Sequence, residues 1–328
     1  MESVLKLGPF QILFLLILFL ANCDTQQTSE EESSLDGLGS AGVEVTAPFS
    51  SSSTTEKGGT VSVDFEVTPP AGQDETELTA EATVNDQRFS NSLKKIEYPH
   101  ISNQNIIRPA KLKLVRLNIA KKGERIAYVP GAGDVVDESL RQIGYQVQKL
   151  EADDISASRL QNFDAVVLGI RAYNVDDALV FKQSALFDYV KNGGTLIVQY
   201  NTNRGLVTED LAPFHLELSR DRVTEEDAEV TFIAPNHSLL NVPNNLTKAD
   251  FDGWVQERGL YFPGNWDDTF TPILSMHDQD ESAKTGSLLV AQYGKGYFIY
   301  TGISFFRQLP AGVPGAYRLF ANMISIGK

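Results

Sequence analysis

The stretch GGTLIVQYNTNRG, Gly193 to Gly205, decides how this chain is to be read. A glycine pair marks the end of a helix, where a left-handed residue is needed. Thr195–Gln199 is a short apolar run of strand length, and Tyr200-Asn201-Thr202-Asn203-Arg204 is a polar turn at its carboxyl end. Upstream, DALVFKQSALFDYVKNGG has the spacing of one amphipathic helix ending at Gly193. Before it, FDAVVLGIRAYN is almost wholly apolar until Gly169, the pattern of a parallel strand covered on both faces.

The same alternation begins further upstream. RIAYVPGAG reads as a buried strand ending in glycines, DVVDESLRQIG as a helix closed by Gly144, and YQVQKLEADDI as a second strand. Strand and helix alternating at this spacing predict an α/β domain over 123–328, a doubly wound, mostly parallel, flavodoxin-like sheet. Downstream, AEVTFIAP adds a strand, GSLLVAQY and GYFIYTGI form a hairpin about Gly294-Lys295-Gly296, and GAYRLFANMISIG is a last helix.

The first part of the chain differs. Residues Phe10 to Leu20 are an apolar run preceded by Lys6, which suits a signal-peptide core and is short for a bilayer span. The chain's one cysteine, Cys23, follows in LANC, which resembles a bacterial lipobox, so 1–23 is expected to be a lipoprotein-type signal peptide with lipidation at Cys23. That reading implies export to the cell envelope and attachment to a membrane, on its outer or periplasmic side. Residues 24–42 are acidic and rich in Ser and Gly, an expected flexible tether. Short runs of period two, such as TVSVDFEVTP, predict a small immunoglobulin-like β-sandwich over 43–108, and KLKLVRLNIA a connecting strand within 109–122.

Charge narrows the function. A net charge of -15 with no long basic block argues against nucleic acid as a partner. In an open parallel sheet, ligands sit beyond the carboxyl ends of the strands. That rule selects GAGD, GIRAYN, QYNTNR and TGISFFRQ, and with them Asp134, Arg171, Tyr173, Asn174, Tyr200, Asn201, Asn203, Arg204 and Arg307 as expected ligand-binding residues. Guanidinium forks, amides and aromatic faces suit a polar ligand, anionic or sugar-like. The same residues also suit a structural network that caps strands and pins loops. GAGDVV does not complete a dinucleotide fingerprint, because Val136 stands at the third glycine. The four histidines are dispersed, HDQDES and NWDD lack the periodicity of a calcium loop, and no metal or cofactor is expected. Trp254 and Trp266, flanking VQERGLYFPGN, offer either a saccharide platform or core packing, of which packing is the simpler account.

The strand order resembles the class I glutamine amidotransferase-like superfamily, ThuA-like proteins included. There the strand after the long helix enters a nucleophile elbow, Gly-x-Cys-x-Gly. The equivalent Val198-Gln199-Tyr200-Asn201-Thr202 has neither the glycines nor the cysteine. Over 43–328, the β-module together with GAGDVVDESLRQIGY, VVLGIRAYN, YVKNGGTLIVQYNTN and GKGYFIYTG is similar to the C-terminal half of secreted bacterial PIG-L-type N-acetylglucosaminyl deacetylases. That family's zinc motif, Ala-His-Pro-Asp-Asp, occurs nowhere in the chain. The resemblance implies a carbohydrate or a PIG-L-type deacetylase as partner, with no catalytic residue here. The leading expectation is a non-catalytic, membrane-anchored envelope module that binds a polar ligand or partner. The alternatives are an amidase- or deacetylase-type hydrolase using the strand-end crevice, and a structural envelope protein.

Overall fold

The computed structural model describes residues 75–82 and 87–328, and the backbone alone of 83–84 and of three strands, β1 (Gln11–Phe14), β2 (Glu44–Thr46) and β3 (Val63–Thr68). Cys23 and the tether 24–42 lie outside the described residues, as does the run Phe10–Leu20 apart from β1. The chain divides into two compact units, Met1–Leu117 and Asn118–Lys328.

The first unit is built of antiparallel strands. β1, β3 and β2 form one sheet. The rest are β4 (Glu75–Thr79), β5 (Ala82–Val84), β6 (Gln87–Phe89), β7 (Asn91–Ile96), β8 (Gln104–Pro109) and β9 (Lys111–Val115), paired as β4 with β9, β5 with β6 and β7 with β8. The period-two pattern thus yields a set of small sheets. Lys111–Val115, expected to connect the domains, pairs along its whole length with Glu75–Thr79 and belongs to this unit.

The second unit opens with β10 (Arg125–Val129), α1 (Val136–Gln142), β11 (Gln146–Lys149), α2 (Ala157–Leu160), β12 (Ala165–Leu168), α3 (Ala172–Val175), α4 (Gln183–Lys191) and β13 (Thr195–Gln199). It continues with β14 (Leu216–Val223), β15 (Val230–Phe232), α5 (Ser238–Asn241), β16 (Gly259–Trp266), β17 (Thr271–Pro272), β18 (Leu274–Met276), β19 (Leu288–Tyr293), β20 (Gly296–Thr301), α6 (Phe305–Gln308) and α7 (Pro314–Ser325). The central sheet runs β11-β10-β12-β13-β20-β19-β17. Its first five strands are parallel in the flavodoxin-like order, and β19 and β17 close the edge antiparallel. The α/β, mostly parallel fold read from the sequence is the fold observed.

Both faces of that sheet are covered. Leu196 and Val198 of β13 and Phe298 and Tyr300 of β20 join Leu186, Tyr189 and Val190 of α4 in one buried cluster. Thr195 points the other way and donates to the Ile326 carbonyl just past α7, 3.3 Å away. The glycine pair has two separate causes. Gly193 turns left-handed at φ 116° to end α4. At Gly194 a Cβ would fall 2.2 Å from the Tyr189 ring, so only glycine lets that ring lie over the chain.

One expected element is divided. The single helix read over DALVFKQSALFDYVKNGG is a 3-10 turn, Asp177–Phe181, followed by α4. Asp176 caps the turn by accepting from the Ala178 N–H at 3.0 Å. Of the turn's residues only Leu179 is fully buried, while Phe181 is 83% exposed, so no apolar stripe extends α4 backwards.

Candidate functional site

Beyond the carboxyl ends of β10, β12 and β13 the expected crevice is filled by the protein itself. Asp134 is the hub: its carboxylate accepts from the Tyr128 hydroxyl, from the Val136 N–H at 2.9 Å and from the Ile170 N–H at 3.1 Å. The Ala132 N–H donates to the Ile170 carbonyl at 2.8 Å. Gly131 lies against that carbonyl so closely that a Cβ would meet it at 2.0 Å. The switch point of the sheet between β10 and β12, where a ligand is normally received, is therefore sealed.

The same holds beside β13. Asn201 is fully buried; its Oδ1 accepts from the Tyr173 N–H at 3.0 Å, its Nδ2 donates to the Gln199 carbonyl at 2.9 Å, and its N–H donates to the Tyr300 hydroxyl at 3.1 Å. Asn174 exchanges bonds with the next loop: Nδ2 donates to the carbonyls of Thr202 and Arg204, each at 3.1 Å, and Oδ1 accepts from the Thr202 N–H at 2.8 Å. Tyr173 is a core side chain with no exposed surface. Four of the nine expected ligand-binding residues, Asp134, Tyr173, Asn174 and Asn201, are thus committed to the fold. Of their turn neighbours, Asn203 is half-buried and Arg204 exposed, with its carbonyl held by Asn174.

A more open surface lies one step along, where β13 and β20 end and β16 begins, with Tyr200 itself buried there. Tyr200, on β13's carboxyl side, stacks on Tyr261 with ring centroids 6.4 Å apart and planes 11° from parallel. It also meets Phe306 at 5.3 Å. Its hydroxyl makes no hydrogen bond among the described residues, and burial raises its pKa above the usual tyrosine value, against the opposing pull of Arg171. Arg307 donates to the Glu257 carboxylate at 2.7 Å and to the Gln256 side chain, and its guanidinium lies 4.9 Å from the Phe306 ring centre. Arg171 donates its N–H to the Tyr200 carbonyl at 2.7 Å. Its side-chain Nε is buried with no partner among the described residues.

Close backbone contact brings β16 here. The Leu260 N–H donates to the Gly302 carbonyl at 2.9 Å, and a Cβ on Gly259 would meet that carbonyl at 2.5 Å. The loop before β16 is held from beneath by Gln308, which accepts from the Val255 N–H at 2.9 Å and donates to the Val255 carbonyl at 2.8 Å. Ser304 adds a bond to the Glu257 carbonyl at 2.7 Å. Buried Arg258 ties the same loop to the Ala228 and Phe251 carbonyls, and burial lowers its pKa to about 10. Three non-glycine residues of this region have left-handed backbone: Arg171 (φ 56°) and Tyr261 (φ 51°), both against Tyr200, and Gln256 (φ 68°), bonded to Arg307. Backbone held in this region costs energy and is retained where neighbours fix it, commonly at ligand sites.

Next to Tyr261 opens a cleft of about 400 Å³ lined by Arg220, Arg222, Glu257, Leu260 and Tyr261. Sequence reasoning reached Arg171, Tyr200 and Arg307 but not these residues, save Tyr261 as part of an aromatic segment. The arginine pair sits in an ordinary charged strand, SRDRV, and only the pairing of β14 with β16 carries it to the site.

The other candidates are structural. Asp278 of the HDQDES segment accepts from the N–H groups of Thr224 and Glu225, and Asp267 of NWDD accepts from the Thr269 N–H at 2.9 Å. No group of three metal-ligating side chains occurs among the described residues. Trp254 is buried, 5.4 Å from Phe251 and stacked on it, as the packing account expects. Among the described residues no helix is long and apolar enough to cross a membrane.

The chain matches no protein-family model and no curated protein. Solved structures with a similar arrangement include a ThuA-like protein from Bacteroides uniformis, with 10% identity, a TM-score of 0.41 and coverage of 63% of this chain and 92% of the other. A GMP synthase-type protein from Thermoplasma acidophilum has 13% identity, a TM-score of 0.40 and coverage of 62% and 96%. PurLQS from Thermotoga maritima has 12% identity, a TM-score of 0.40 and coverage of 63% and 100%. Likenesses of this kind say nothing of activity, and the fold rests on the sheet order given above.

Proposed function

We propose that this chain is a non-catalytic binding module that receives a polar, carbohydrate-like or anionic ligand at the cleft beside Tyr261, where Tyr200 and Arg171 stand behind its wall. One observation carries the reading: the groups gathered at this strand end are recognition groups, namely the exposed Arg220 and Arg222 on the cleft, Arg171 with a buried Nε that has no partner among the described residues, and the Tyr200–Tyr261–Phe306 aromatic cluster. The groups that hydrolysis would need are spent elsewhere. Asp134 accepts three bonds from its own fold, and the Tyr128 phenol bonded to it is driven to a higher pKa by burial and by that carboxylate, so it stays protonated and is no base.

The lipobox-like LANC and the apolar run before it support a membrane-anchored protein of the cell envelope, and the resemblance of the quoted motifs to PIG-L-type deacetylases supports an accessory role in amino-sugar deacetylation. The test is calorimetric titration of the full chain with glucosamine and N-acetylglucosamine oligomers, neutral maltooligosaccharides and acidic saccharides. Saturable binding of any of these, weakened at least tenfold by Arg171→Ala, is the expected result. Hydrolysis of an amide substrate that is lost in Tyr200→Phe overturns it in favour of the hydrolase.

A further inference from the structure

We propose that the cleft beside Tyr261 selects an acidic, ring-bearing ligand, whose carboxylate or phosphate groups are held by Arg220 and Arg222 while a ring face lies on Tyr261. This rests on the binding reading above and narrows it to a class of ligand. Arg220 and Arg222 stand two residues apart on β14, both exposed and both lining the cleft. The β14–β16 pairing shifts register between Leu218 and Asp221 and again between Asp221 and Val223, and across this irregular stretch both arginines reach the same cleft. Asp221 between them is not among the lining residues. Neither arginine makes an ion pair or hydrogen bond through its side chain among the described residues. The one carboxylate in the wall, Glu257, is already bonded to Arg307. The cleft therefore presents unneutralised guanidinium groups on a chain whose net charge is -15.

That contrast is informative. The acidic chain as a whole repels an anion at long range, so a clustered positive charge here acts at contact distance, where guanidinium forks bind carboxylate and phosphate bidentately. The floor is pre-formed, because Gln308, Ser304 and Arg258 fix the loop that carries Glu257, and the Leu260–Gly302 bond fixes the start of β16. A rigid site loses less entropy on binding. Tyr261, half-buried and held at φ 51°, supplies the flat face. Charge alone would serve any polyanion; charge beside a tyrosine face favours acid groups borne on a ring.

The experiment is calorimetric titration of the full chain, at low and at moderate salt, with short oligogalacturonate, myo-inositol hexakisphosphate, a neutral maltooligosaccharide and poly-glutamate of matched charge. At least one ring-bearing acid is expected to bind tenfold or more tightly than both the neutral sugar and poly-glutamate. Arg220→Gln with Arg222→Gln weakens it at least thirtyfold, and Tyr261→Ala about tenfold. Preference between the carboxylated and the phosphorylated probe assigns the acid group. Equal binding of the neutral sugar, equal binding of poly-glutamate, or acid binding untouched by the double substitution overturns the inference and leaves the binding module standing. No binding of any probe, together with none of the amino-sugar oligomers, overturns both. Unchanged circular dichroism and melting of the double variant, whose sites are exposed, separates lost binding from lost fold.

Discussion

The two halves of the strand-end crevice are made from the same kinds of residue and do opposite things. Around Asp134, Asn174 and Asn201 the polar groups bond to loops of their own chain. Around Tyr261 two exposed arginines and a half-buried ring line a cleft, with the buried Tyr200 stacked behind Tyr261, over a floor held by bonds that point away from the cleft. What separates them is where the hydrogen bonds go. A buried amide bonded to loops of its own chain has little capacity left for a ligand and no path to one, and an unpartnered guanidinium at the mouth of a cleft has nearly all of its own. The comparison also explains why the usual rule for open sheets points one position away from the open surface. The switch point between β10 and β12 is where it places the ligand, and Asp134 with Gly131 has closed that point.

The closed half is most severely tested at Gly131. A Cβ there would lie 2.0 Å from the Ile170 carbonyl and 3.0 Å from the Ala172 nitrogen, both backbone atoms with no rotamer to change. Gly131→Ala is therefore expected to lower stability by about 3 kcal/mol or more, or to prevent folding. Urea denaturation measures it. A variant as stable as the parent would mean that the two loops are free to part and the seal is not rigid.

Asn201→Ala comes next. It strips partners from the Tyr173 N–H and the Gln199 carbonyl in a fully buried place. Leaving such groups unsatisfied costs about 1–3 kcal/mol, so a loss of about 3 kcal/mol is expected with the small cavity included. Ligand affinity per folded molecule stays within about twofold, since Asn201 faces inward. A variant of normal stability and lost affinity would move Asn201 from the closed half to the open one.

How much of this was readable beforehand differs between fold and site. The apolar runs of β10, β12 and β13, the helix ends at Gly144 and Gly193 and the β19–β20 hairpin are local patterns, and local patterns fixed the α/β class and the parallel order. The division of the helix before α4 was hidden, because it depends on the burial of Leu179 alone and on a cap from Asp176. The site was half legible. Strand ends named Arg171, Tyr200 and Arg307, but the same rule could not tell Asn201 from Tyr200, adjacent buried residues of which only Asn201 has its side chain bonded to the fold. Nor could it reach Arg220, Arg222 and Glu257, which arrive through the β14–β16 pairing and the Gly259–Gly302 contact, both of long range in the chain.

Alkaline pH gives a smaller and graded effect. Burial raises the pKa of Tyr128, Tyr173 and Tyr300, which line or underlie the closed half. In the unfolded chain these phenols ionise near pH 10. Above that pH the unfolded state binds fewer protons than the native one, so stability falls as pH rises. The contribution is fully present below about pH 10 and is lost as pH climbs towards the raised native values, at up to about 1.4 kcal/mol per pH unit for each phenol. Urea titrations between pH 8 and 11 should show a plateau and then a decline, less steep in Tyr128→Phe. A flat profile to pH 11 would mean these hydroxyls are not shielded as their burial implies.

The smallest change expected is at Tyr200 itself. Its hydroxyl has no hydrogen bond among the described residues, and its ring contacts with Tyr261 and Phe306 survive loss of the oxygen. Tyr200→Phe should therefore shift stability by no more than about 0.5 kcal/mol, beside the loss of about 3 kcal/mol expected at its immediate neighbour Asn201. If the open half binds as proposed, the same variant loses a few-fold in affinity for a polar ligand, because a neutral phenol, kept protonated by burial, is removed as a donor. Thermal melts alone make the comparison: a destabilisation above 1 kcal/mol would show that the Tyr200 hydroxyl is tied into the fold as Asn201 is, and the division of the crevice into a sealed and an open half would then have to be drawn beyond Tyr200, at Tyr261.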